Sequence, residues 1–96
     1  MKLVLEKEAI SALKSICSYI EESSETRARR VRKIVMDSIG ELRKNPFKYP
    51  PDKYYKKNEG SVRAYEIMKL RITYSVSETQ ITILGIRHTK RNPTEY

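Results

Sequence analysis

Apolar and polar positions change period along the chain, and the clearest stretch runs from Ser61 to Arg91, where three short apolar-rich runs follow one another. Leu70, Ile72, Tyr74 and Val76 alternate with Arg71, Thr73 and Ser75, the period-two pattern of a strand with one buried face. The next run, Gln80 to Ile86, is apolar at Ile81, Ile83, Leu84 and Ile86, so its phase slips at Ile83-Leu84. A central strand covered on both faces, or a bulge near Gly85, produces such a slip. The run from Val62 to Met68 is rich in strand formers but carries Arg63 and Glu66, which predicts the less buried member of a three-stranded antiparallel meander. Lys2 to Leu5 is a short apolar run expected to join that meander as an edge strand.

Between these strands the period becomes helical. From about Glu8 to Glu22, Ala9, Ile10, Leu13, Ile16, Cys17 and Ile20 recur at three and four and define one face of an amphipathic helix. Glu6 and Glu8 favour the positive end of its dipole. Ser23-Ser24-Glu25 breaks that helix and starts another, with Ser24 as the expected N-cap. The second helix carries Ala28, Val31, Val35, Ile39 and Leu42 on one face and is expected to stop at Asn45, because Pro46 follows. So short a break predicts an antiparallel helix hairpin. Its outer side bears Arg27, Arg29, Arg30, Arg32 and Lys33, which is either a solvated face or a contact surface.

These elements predict an α+β fold in one domain spanning residues 1–96, the helix hairpin packed on one face of a small, mainly antiparallel twisted sheet of three or four strands. Ninety-six residues suffice for one core and not for two. The formal net charge of +8 is unevenly placed. The first 24 residues carry three cations and four acids, residues 25–60 eleven and five, and residues 61–96 six and three. Such a field favours a polyanion, either nucleic acid or an acidic protein segment. Cys17 is alone, excludes an intrachain disulfide and suits a buried thiol in a reducing compartment. No apolar run approaches the roughly 20 residues of a membrane span, and a cytoplasmic location without a membrane partner is expected.

Asn45 to Gly60 holds three of the four prolines and interleaves Lys48, Lys53, Lys56 and Lys57 with Tyr49, Tyr54 and Tyr55. A loop of this length inside a small domain tends to be functional. Cations beside aromatics suit a nucleic-acid backbone with stacked bases. Equally, Tyr49 and one of the tyrosine pair can pack over the sheet edge and leave the lysines in water.

One His and one Cys without ligand spacing give no metal site, and three scattered glycines supply no phosphate-cradling loop, so no cofactor is expected. Arg63, Arg87, His88, Arg91 and Tyr96 are the residues a meander can gather into a phosphodiester site. Cleavage of RNA by its own 2′-hydroxyl needs a base for that proton, cations on the phosphate and a donor for the leaving oxygen. His88 can serve as the acid or base, Arg63 and Arg91 can grip phosphate bidentately, and Tyr96 can donate or stack. Lys53, Lys56, Lys57, Arg71, Arg87 and Lys90 are the candidates for binding nucleic acid around it.

Three stretches carry a family resemblance: Asn45-Pro46-Phe47-Lys48-Tyr49-Pro50, Arg63 followed by Leu70-Arg71-Ile72-Thr73-Tyr74-Ser75-Val76, and Ile81 to Arg91 with its Arg-His-Thr-Lys-Arg ending. With the element order, they make the chain resemble the RelE/ParE superfamily of toxins from type II toxin-antitoxin systems over almost its whole length. The resemblance implies a compact toxin neutralised by a cognate antitoxin, with operator DNA reached only through the antitoxin complex. RelE-like members are ribosome-dependent endoribonucleases that cut mRNA. ParE-like members poison DNA gyrase and are not known as nucleases. The loop lysines and Tyr96 lean toward the ribosome and mRNA, with Arg63, His88, Arg91 and Tyr96 catalytic. Asn-Pro-x-x-Tyr-Pro and the register from Arg63 to Val76 lean toward ParE, and a degenerate toxin that keeps only antitoxin binding is the third implied possibility. The expectation carried forward is a metal-independent mRNA endonuclease, with gyrase inhibition as its alternative.

Overall fold

The computed structural model describes residues 1–56 and 58–89. Its elements are β1 (Lys2–Leu5), α1 (Lys7–Glu21), α2 (Glu25–Glu41), β2 (Val62–Ile67), β3 (Leu70–Val76) and β4 (Gln80–His88). The sheet order is β1-β4-β3-β2. β2, β3 and β4 are the antiparallel meander, and β1 pairs parallel with the first half of β4, Lys2 opposite Gln80 and Leu5 opposite Ile83. The helix hairpin covers one face, where Leu13, Cys17, Val31, Val35 and Ile39 meet Leu70, Ile72, Tyr74, Ile81, Ile83 and Ile86 in one apolar cluster.

The helices form where apolar residues recur at three and four, and each start is fixed by its neighbour in sequence. Ser24 caps α2 by accepting the Arg27 amide at 3.1 Å. α1 starts without a side-chain cap, the Glu6 carbonyl accepting from the Ala9 and Ile10 amides. Two details differ from the periodicity. Ile10 lies 40% exposed at the margin of the α1 stripe. α2 ends at Glu41, four residues before Asn45, and a turn carries the chain to Pro46 with Leu42 still buried.

The phase slip in the last run has both of its expected causes. β4 is a central strand, and its register with β3 shifts between Thr73 and Tyr74. Thr73 faces Gly85 and Tyr74 faces Ile83, so Leu84 is the extra residue of a bulge and both Ile83 and Ile86 turn to the helices. The β2–β3 hairpin turns on Met68 and Lys69, at φ 53° and 62°. Two side chains in the left-handed region cost about 1 kcal/mol each, in a turn that ordinarily takes Asn-Gly.

β2 is not the less buried strand. Val62 and Ala64, on the face away from the helices, are 7% and 6% exposed because the loop before β2 folds back over it. The Asp52 amide donates to the Val62 carbonyl at 2.8 Å, and Pro51 bridges to Arg63. Asn58 closes the loop: its Nδ2 donates to the carbonyls of Asp52 and Val62, and its Oδ1 accepts from the Gly60 and Val62 amides.

Candidate functional site

The loop straddles the edge of β2, and each side is held by one arginine. On the helix side, Tyr49 stacks on Tyr65 at 4.2 Å between ring centroids, and the Tyr74 hydroxyl donates to the Pro46 carbonyl at 2.8 Å. Arg63 shares this face because it pairs with the buried Tyr74. Its Nη1 donates to the Tyr49 carbonyl at 2.6 Å and its guanidinium lies 4.8 Å from the centre of the Phe47 ring. Arg63 therefore clamps residues 47–51 to the sheet. The Tyr65 hydroxyl donates to Ser38 Oγ at 2.9 Å, since the Ser38 hydrogen is used on the Val35 carbonyl. Burial pushes the Tyr65 phenol up to about 12 and raises that of Tyr74 as well.

On the opposite face, Glu66, Arg71 and Arg87 form one cross-strand row. Arg71 Nη2 meets Asp52 Oδ1 at 2.9 Å and its Nη1 meets Glu66 Oε2 at 3.3 Å. The Asp52 side chain is fully buried and also accepts the Tyr54 amide. Tyr54 covers the cation, 5.0 Å from ring centre to guanidinium, and Lys53 lies over the same ring at 5.2 Å. Arg71 thus spends its charge inside the protein, with 13% of its side chain exposed. The candidate for nucleic acid at this position is therefore a residue already paired with Asp52 and Glu66.

Of the residues expected to gather into a phosphodiester site, Arg63, Arg87 and His88 are described. Arg63 is level with Tyr74 and His88 with Leu70, so four residues along β3 and two strand spacings part their Cα atoms by roughly 16 Å. His88 and Arg87 instead line a cavity of about 540 Å³ between α1 and the end of β4, with Lys7, Glu8, Ser11 and Ser15. Lys53 and Lys56 are exposed on the loop. Lys57, Lys90, Arg91 and Tyr96 lie outside the described residues. Of the two readings of the loop aromatics, Tyr49 follows the one in which it packs over the sheet edge. Asp52, which organises the open side, has no local signal in sequence, because its partner lies on β3. Among the described residues no group of His, Cys, Asp and Glu could hold a metal ion, and no helix is long and apolar enough to cross a membrane.

A helix hairpin thus covers one face of a small mixed sheet, and a basic loop is strapped across its edge. The family model described as ParE toxin of type II toxin-antitoxin system, parDE, matches residues 3–93. The chain belongs to the ParE toxin family. Its fold is similar to a solved structure described as the chromosomal ParDE TA system from P. aeruginosa, with a TM-score of 0.76 and 16% identity over 94% of this chain and 97% of that one. No curated protein sequence matches the chain.

Proposed function

We propose that this toxin arrests growth by binding DNA gyrase and does so without cutting nucleic acid, its activity being held in check by a cognate antitoxin. The observation that carries this reading is the placement of Arg63 and His88. RNA cleavage by the expected route needs both within reach of one phosphate, and their Cα atoms lie roughly 16 Å apart across the sheet. Arg63 is also committed to the Tyr49 carbonyl and Phe47, and Arg71 to Asp52 and Glu66. A guanidinium anchored in this way steadies a binding surface, which is what a non-catalytic inhibitor requires. Membership in the ParE family supports the same choice, because the ParE-like branch is the one directed at gyrase.

Inducing the chain in cells and following translation and DNA replication by separate isotope labels over the first minutes tests the proposal. Early loss of replication with DNA-damage induction is expected, and His88→Ala is expected to remain toxic. A prompt fall in translation with intact replication, abolished by His88→Ala, would return the assignment to an mRNA endonuclease.

A further inference from the structure

The largest concentration of charge lies away from the loop, on α2. Residues 27–33 hold Arg27, Arg29, Arg30, Arg32 and Lys33 and no acid, and all five are exposed. Lys33 is paired with Asp37 at 3.0 Å. Among the described residues, the side chains of Arg27, Arg29, Arg30 and Arg32 have no hydrogen bond, ion pair or ring contact.

This placement works against the helix that carries it. Arg27 is in the first turn of α2 and Arg29 and Arg30 follow in the second, at the positive end of the helix dipole, while the last turn, where cations help, has none. Arg27 with Arg30, Arg29 with Arg32, and Arg29 and Arg30 with Lys33 are like charges at three and four positions, each pair repulsive. A local rule broken in several ways at once, and offset only in part by Glu25 four positions before Arg29 and by the Lys33–Asp37 pair, marks a surface kept for something other than stability.

The arrangement also limits what could bind. At 3.6 residues per turn, Arg27 and Arg30 fall on one flank of the exposed side and Arg29 and Arg32 on the other, about 160° apart, with Lys33 between them. Met36 is the one large apolar residue among the exposed positions from Arg27 to Gly40, so the face lacks the aromatic anchors of a protein interface and the rings on which single-stranded bases stack. Two arginine flanks along a helix instead match two rows of phosphates. The major groove of B-form DNA, about 12 Å wide, presents such rows to a helix laid over it, whereas that of an RNA duplex is too narrow.

We infer that the outer face of α2 is a contact surface for the phosphate backbone of double-stranded DNA, used by the toxin itself, in contrast to the expectation that DNA is reached only through the antitoxin. The inference does not depend on gyrase being the target, since it concerns binding by the chain alone.

The test is fluorescence anisotropy of a labelled 20-base-pair mixed-sequence DNA duplex with the purified chain from 50 to 200 mM salt. The wild type is expected to bind with a steep salt dependence. Losing three phosphate contacts in the combined Arg29→Ala, Arg30→Ala and Arg32→Ala variant should reduce the slope of log K against log salt by about 2.7, at about 0.9 per contact. Circular dichroism and a denaturation curve establish that the variant is folded, and Lys48→Ala with Lys53→Ala and Lys56→Ala is the control expected to keep the slope. No binding at 50 mM salt, an unchanged slope in the α2 variant, or loss of binding in the loop control would overturn the inference. Equal affinity for an RNA duplex or for polyglutamate would overturn it too, transferring the face to RNA or to an acidic protein.

Discussion

Arg63 and Arg71 on the sheet and the four arginines of α2 share one side chain and have opposite circumstances. Arg63 is held by a carbonyl and an aromatic ring, and Arg71 by a buried carboxylate, a second carboxylate and Tyr54. The α2 arginines are exposed, and among the described residues their side chains make no hydrogen bond, ion pair or ring contact. The contrast teaches that a cation's place on a sheet says little about its availability. What decides is whether the fold has already supplied its partners. By that criterion the sheet arginines fasten the loop and the helix arginines are left for a partner.

The contrast is broken most severely at Asp52. Asp52→Ala takes the buried carboxylate away from a largely buried Arg71, and a loss of about 3 kcal/mol is expected in urea denaturation. A loss below about 1 kcal/mol would mean that the pair is no anchor. Arg63→Ala removes the Tyr49 hydrogen bond and the Phe47 contact and should cost about 2 kcal/mol, with faster proteolysis within residues 47–51 as the second readout.

Tyr65→Phe should cost about 1 kcal/mol, because the Ser38 hydroxyl keeps its bond to the Val35 carbonyl. The same residue sets a pH window. The folded Tyr65 phenol titrates at about 12 and the unfolded one near 10, so over that interval the unfolded chain has lost a proton that the native state still holds. Stability contributed below pH 10 is therefore lost as pH rises toward 12, and Tyr65→Phe should flatten that part of the decline. Smallest is the combined Arg29→Ala, Arg30→Ala and Arg32→Ala change, expected to alter stability by no more than about 0.5 kcal/mol, and in the favourable direction, since repulsion is relieved. A large destabilisation would show that these side chains have structural work after all.

What sequence could reveal here was what repeats locally. The spacing of Val31, Val35 and Ile39, the cap at Ser24 and the slip at Ile83-Leu84 each depend on a few neighbouring residues, and the helix face, its start and the β4 bulge follow from them. The Met68-Lys69 turn escaped because neither residue favours positive φ. The burial of Val62 and Ala64 and the double anchoring of the loop escaped for another reason. Asp52 meets Arg71 across 19 positions and Arg63 meets Tyr49 across 14, and neither pairing has a period. Basic residues near strand ends suggested a phosphodiester site. Register, which no single run encodes, put Arg63 and His88 at different ends of the sheet.

The proposed mechanism is tested most directly with the purified chain, DNA gyrase and relaxed plasmid, alongside a programmed ribosome carrying labelled mRNA. Loss of supercoiling with the mRNA intact, in wild type and His88→Ala alike, is the predicted result. Intact supercoiling with new mRNA ends that disappear in His88→Ala would contradict it.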